Sequence, residues 1–205
     1  GLHNHGEYDV DLYVHSLTKY ASGHGDVMGG AVIARREIVD TVREDATNLG
    51  PTLDPHAAWL ILRGLKTYFL RWDAQCRNAL RVAEFLGSRP EVSRVRYPGL
   101  PTDPGHELAR RQMDGFGTLV TFDLAAGLAA GTRFAEALGL FSIAASLGST
   151  ESLVVPPALQ QPRGMGEEQR AWTGITPGTV RLSIGIEDPD DLLDDLRNAL
   201  QHVNG

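Results

Sequence analysis

One lysine stands between hydroxyl side chains and a glycine-rich run: Ser16, Thr18 and Lys19, followed by Gly23-His24-Gly25-Asp26. An amine in that setting suits attack on an aldehyde. Neighbouring hydroxyls and the backbone amides of a glycine-rich turn suit a phosphate. Together these residue types point to a covalently held cofactor that carries both groups. The amine must be neutral to react, so it needs a partly desolvated setting, which an apolar strand entering such a turn supplies. Ser16 and Thr18 alternate with Leu17, so both hydroxyls can face the same side. Two plainer readings stay open at this point: the lysine as a solvated surface charge, and the hydroxyls as groups that bond the backbone of their own turn.

The elements that must position this lysine are short and apolar. Residues 9–15 alternate and then run apolar, and residues 27–34 form a second uncharged stretch, a pattern that predicts two strands buried on both faces with the lysine between them. A helix is expected from Arg35 to about Thr47, stopped by Asn48-Leu49-Gly50-Pro51. A longer helical pattern opens at Asp54 as N-cap with Pro55 behind it, runs to Phe85, and is expected to kink or hinge at Arg63-Gly64-Leu65. Beyond Pro90 the elements shorten: strands near 92–97 and 117–124, helices near 105–113 and 127–138, a polar stretch around 160–168, an alternating strand over 178–186, and a closing helix capped by Asp188. The division expected from this is residues 1–50 as a remnant of one α/β domain, 51–86 as a connecting helix, and 87–205 as a smaller α+β domain.

Composition bounds the partners. Across 205 residues, 42% hydrophobic and 22% charged residues predict a packed core, and the net charge of −7 argues against a nucleic-acid surface. No apolar run approaches the roughly 18 residues of a membrane span and no signal segment opens the chain, so a cytoplasmic setting is expected. The single cysteine, Cys76, excludes an internal disulfide and reads as a small apolar residue in a helix. The histidines His3, His5, His15 and His24 lack carboxylates at ligand spacing, so no metal site is expected. Ser16-Leu17-Thr18-Lys19 also satisfies the Ser-x-x-Lys acylation motif. That chemistry needs a continuous helix after the serine and a Lys-Thr-Gly elsewhere. Gly23 and Gly25 break the helix, and Lys66-Thr67 is followed by Tyr68.

The run Asp11-Leu12-Tyr13-Val14-His15-Ser16-Leu17-Thr18-Lys19-Tyr20 with Gly23-His24-Gly25-Asp26 resembles the cofactor-attachment signature of the pyridoxal-phosphate transsulfuration enzymes. That family includes cystathionine γ-synthases, cystathionine γ-lyases and methionine γ-lyases. Leu17 and Ala21 depart from the usual pattern without removing a chemical group. The resemblance continues through 58–67, 97–101, 146–153 and 180–188 in family order, and so covers nearly the whole chain. It implies the C-terminal portion of a fold-type I, aspartate-aminotransferase-like α/β enzyme. Lys19 is then the residue that carries pyridoxal 5'-phosphate, Ser16 and Thr18 resemble phosphate contacts, Arg181 resembles the arginine that grips the substrate α-carboxylate, and Ser146 resembles a helper at that carboxylate. A guanidinium fork aimed from a strand suits the role given to Arg181. The plainer readings are an arginine on the exposed face of a half-buried strand and a loop hydroxyl.

The implied reaction is elimination or replacement at Cγ or Cβ of sulfur-containing or homoserine-type amino acids, in a homo-oligomer built as a dimer of dimers. Ala145, where cystathionine-directed members often have an acid, leans toward a less polar substrate, in the direction of methionine γ-lyase. The resemblance places the ring-binding aspartate, a stacking aromatic and most of the phosphate loop upstream of Gly1. Residues 1–205 alone are therefore expected to bind the cofactor poorly and to have little activity. The alternative is a non-catalytic remnant or an assembly module that docks on a complementary N-terminal polypeptide, with the strands over 9–15 and 27–34 as the surface to be covered.

Overall fold

The computed structural model describes residues 9–160 and 166–203. His3 and His5, and most of the polar stretch expected around 160–168, lie outside the described residues. The chain divides into two compact units, residues 1–70 and 71–205.

In the first unit, β1 (Leu12–Ser16) and β2 (Gly30–Ala34) pair antiparallel, Val14 opposite Val32 and Ser16 opposite Gly30. The expectation of strands buried on both faces is not met. Each strand has one partner among the described residues, so the ribbon has two open edges, and Leu12, Val14 and Ile33 are exposed, Val14 by 67%. Helix α1 (Arg36–Leu49) follows, then α2 (Pro55–Leu65). The Asp54 carboxylate accepts from the backbone amides of His56 (2.9 Å) and Ala57 (3.1 Å), with Pro55 at the first helical position, where no donor is lost. Asp54→Ala is expected to lower the stability of this unit by about 1 kcal/mol. Urea denaturation followed at Trp59 measures it, and an unchanged midpoint would contradict the cap assignment.

The helical pattern from 54 to 85 breaks at Lys66-Thr67, slightly later than the sequence suggests, and α3 (Tyr68–Gly87) resumes at once. In the second unit α3 is followed by β3 (Val92–Arg96), α4 (His106–Gln112), β4 (Leu119–Leu124), α5 (Gly127–Ala137), β5 (Ser142–Ile143), β6 (Leu153–Val155), α6 (Pro157–Gln160), α7 (Glu167–Thr173), β7 (Thr179–Ser183) and α8 (Pro189–Leu200). The strands form one sheet in the order β3-β4-β7-β6-β5, antiparallel except for the β5–β6 pair. Val120 and Phe122 of β4 and Val180 and Leu182 of β7 point to one face, where they meet Ala79, Val82, Ala83 and Leu86 from α3. Phe134 of α5 and Leu192 and Leu196 of α8 complete this core. The spacing of four along α3 and α8 puts those side chains on one stripe of each helix. Alternation leaves Thr179, Arg181 and Ser183 on the other face of β7. None of the helices is long and apolar enough to cross a membrane among the described residues.

Candidate active site

Lys19 sits where β1 ends, in a single wide turn over Leu17–Ala21. The Ser22 amide reaches back five residues to the Leu17 carbonyl (3.0 Å), and the Gly23 amide donates to the Lys19 carbonyl (2.8 Å). Lys19 itself leaves helical geometry at φ −90°, ψ −123°, so no helix continues through it, as the acylation motif would require. Such widened turns recur at functional positions. The turn is plugged from within by Ser22, which is buried and whose hydroxyl donates to the carbonyls of Thr18 (3.0 Å) and Lys19 (3.3 Å). Gly23 and Gly25 then take φ of 71° and 68°, which a side chain would disfavour. From the other side, α2 approaches so closely that a Cβ on Gly64 would collide with the carbonyl oxygens of Ala21 and Ser22.

The two hydroxyls near the lysine differ. Thr18 Oγ1 donates to the Gly29 carbonyl (3.2 Å) and accepts from the Gly29 amide (3.0 Å). Its hydroxyl thus bonds the backbone on the far side of the turn. Ser16 is exposed and makes no side-chain bond to the turn it precedes. An amine with two hydroxyls beside it fits an aldehyde-and-phosphate cofactor.

In the second unit Arg181 occupies the middle of β7, between Thr121 of β4 and Val155 of β6. Its Nη2 donates to the Ser146 backbone carbonyl (3.2 Å), while its Nε is shut away from solvent with no hydrogen-bond partner. A buried guanidinium donor without an acceptor costs free energy. The structure therefore brings Arg181 and Ser146 together, through the serine's carbonyl. The 146–152 loop is fastened to the end of β7 by several bonds. The Gly148 amide donates to Ser183 Oγ (3.0 Å), with Gly148 at φ 81°. Glu187 accepts from the Ser152 amide (2.5 Å) and hydroxyl (2.9 Å), and the Ile186 amide donates to the Thr150 carbonyl (2.8 Å).

Residues that the sequence reading passed over also fix this region. Asp123, buried on the same face of the sheet as Arg181, accepts from Arg94 Nε (2.8 Å), Arg96 Nη2 (2.7 Å) and Thr179 Oγ1 (2.5 Å), which pins the start of β7. Gln75 and Asn78 hold backbone carbonyls on either side of the site. Cys76 is partly buried, and desolvation pushes its thiol up from its ordinary range, which disfavours a nucleophilic role.

The sequence pattern of the family described as "Cys/Met metabolism PLP-dependent enzyme" matches residues 2–201. The chain belongs to that family. The family's members depend on pyridoxal phosphate, in keeping with the amine-bearing turn. Among its relatives, an L-methionine gamma-lyase of Fusobacterium nucleatum subsp. polymorphum is 44% identical over 198 residues, covering 95% of this chain and 50% of the relative. The L-methionine gamma-lyase of Pseudomonas putida is 48% identical over 199 residues, with the same coverage. A crystal structure of cystathionine gamma synthase from Xanthomonas oryzae pv. oryzae, in complex with aminoacrylate and cysteine, superposes with a TM-score of 0.90 at 45% identity, over 97% of this chain and 51% of that one. The mixed α/β architecture is thus that of part of a PLP-dependent transsulfuration enzyme. The chain spans about half the length of the curated relatives it matches.

Proposed function

We propose that this chain carries the lysine and the carboxylate-binding arginine of an enzyme that eliminates or replaces a group at Cγ or Cβ of sulfur-containing or homoserine-type amino acids. The observation that supports it most is the unpartnered Arg181 Nε on a central strand whose neighbouring Nη2 is already anchored. Arg181 offers the rest of its fork to the substrate α-carboxylate, and the Ser146 hydroxyl adds a donor. Lys19 holds the cofactor covalently, and Ser16 donates to its phosphate. Pyridoxal phosphate, when bound, supplies an electron sink for charge that develops at the substrate Cα. The Lys19 amine, once displaced by the substrate's own, is the base placed to take the Cα proton and return it further along the substrate. Ala145 next to Ser146 brings no charge, which favours an uncharged side chain such as that of methionine.

Arg181→Lys is the direct test. A lysine keeps the charge but loses the planar fork, so KM for the amino acid should rise by about 10- to 100-fold in the enzyme bearing this chain, with the unfolding midpoint held. An unchanged KM would remove the carboxylate role.

The exposed Leu12, Val14 and Ile33 on the ribbon favour a second reading, in which the chain is an assembly module that docks on a complementary polypeptide. Reduction of the chain with cofactor and borohydride separates the two. Stoichiometric labelling of Lys19 accompanied by turnover contradicts the module, and absence of labelling even in the assembled protein contradicts the enzyme.

A further inference from the structure

Two side-chain amides on one face of α3 hold the backbone on both sides of the carboxylate site. Gln75 is 1% exposed, and its Nε2 donates to the Ser149 carbonyl (2.6 Å) and the Ile184 carbonyl (3.1 Å). Asn78, three residues on and so on the same face, donates through Nδ2 to the carbonyls of Glu187 (2.9 Å) and Gly185 (3.3 Å). Ser149 follows Ser146 by three residues, and Ile184 follows Arg181 by three. One amide nitrogen therefore ties the serine loop to the arginine strand.

The orientation of the Gln75 amide is forced. Turning it over would set its oxygen against two carbonyl oxygens. In the orientation that satisfies both carbonyls, Gln75 Oε1 is left buried without a partner. A group placed only to fill space would not carry that cost, and an apolar side chain of the same size would avoid it. What the amide supplies, and an apolar residue would not, is a fixed spacing between two backbone segments that lie 74 and 109 residues away from it in sequence.

We propose that Gln75 is a positioning residue for substrate recognition, with Asn78 as its second hold: it sets the Ser146 loop against Arg181 so that the arginine keeps its Nη2 anchored on the Ser146 carbonyl and its fork held in one aim. The inference rests on the reading of Arg181 as the carboxylate fork.

The test uses the 205-residue chain with Gln75→Met, which keeps the volume, and Gln75→Glu, which keeps the shape but turns a donor into an acceptor. Hydrogen exchange is followed at the Gly148 and Ile186 amides, which close the loop onto β7, and at Val120 and Phe122 in the core. Acetate is titrated against the Arg181 guanidinium resonances. The proposal expects exchange at Gly148 and Ile186 to quicken by about tenfold or more in both variants with the core amides unchanged, and the acetate response to weaken by a similar factor. In the enzyme bearing the chain, KM should rise while kcat holds. Unchanged exchange at Gly148 and Ile186 overturns the proposal, and so does an acceleration spread equally over the core, which would mark Gln75 as a stability residue only. If the Arg181 resonances of the unaltered chain ignore acetate, the carboxylate reading itself fails, an outcome distinct from either of these.

Discussion

Lys19→Ala is expected to abolish borohydride-stable attachment of pyridoxal phosphate and to lower turnover by at least about a thousandfold, the range lost when a positioned base or nucleophile is removed. The chain makes the experiment clean, because Lys19 and Lys66 are its only lysines. A labelled peptide is therefore assigned by mass alone, and Lys66→Ala serves as the matched control, expected to label and turn over as the unaltered protein does. Alanine should not unfold the turn. The Lys19 backbone is held by its carbonyl, which accepts from the Gly23 amide and from the Ser22 hydroxyl, and neither bond uses the side chain. An unchanged unfolding midpoint with lost labelling would assign the loss to the amine. Retained labelling at Lys66 with retained turnover would defeat the role given to Lys19.

The second large effect is expected from a residue that does no chemistry. Gly64→Ala should destabilise the first unit by about 1–2 kcal/mol and slow the trapping of cofactor at Lys19 about tenfold. The sign is not obvious, because alanine in a helix gains up to about 1 kcal/mol over glycine. The gain loses to sterics here. The new methyl would meet the carbonyl oxygens of Ala21 and Ser22, backbone atoms that cannot rotate aside as a side chain would. Overpacking of that kind costs about 1–3 kcal/mol, and more where the neighbour is pinned. The Ala21–Ser22 segment is pinned, since the Ser22 amide bonds Leu17 and its hydroxyl bonds Thr18 and Lys19. The displacement thus passes straight to the lysine. Thermal unfolding and the time course of reductive labelling measure the two effects, and a variant as stable and as quickly labelled as the parent would show that α2 can back away freely.

These cases mark how far the residues alone could be read. The glycine turn at Lys19 was legible because its backbone signals lie within eleven residues, from Ser16 to Asp26. Asp54 and Asp188 were legible as caps for the same reason, and both carboxylates do accept from the amides behind them. Gly64 was legible as a special position but not for its cause. It suggested a hinge, and α2 does end at Leu65, but what demands glycine is a turn over forty residues earlier in the chain. The bonds between the Thr18 hydroxyl and the Gly29 backbone had no signal in the sequence, since eleven residues separate the two. Gln75 and Asn78 gave no signal, since polar residues on a helix ordinarily mark its solvated side and their acceptors are far along the chain. Strands β5 and β6, at two and three residues, are too short to show a period. The strands expected to be buried on both faces misled because apolar content was read as burial, whereas side chains such as Leu12 and Val14 stay exposed on the ribbon.

Arg181 shares β7 with Val180 and Leu182, one side of the ribbon greasy and the other reactive, and β7 is flanked by β4 and β6 on both edges. Sliding it by a single residue would bury the guanidinium in hydrocarbon and turn two core side chains out to water, a swap no partial loosening could tolerate. The carboxylate role proposed for Arg181 would thereby depend on the same hydrophobic interlock that lets the domain fold.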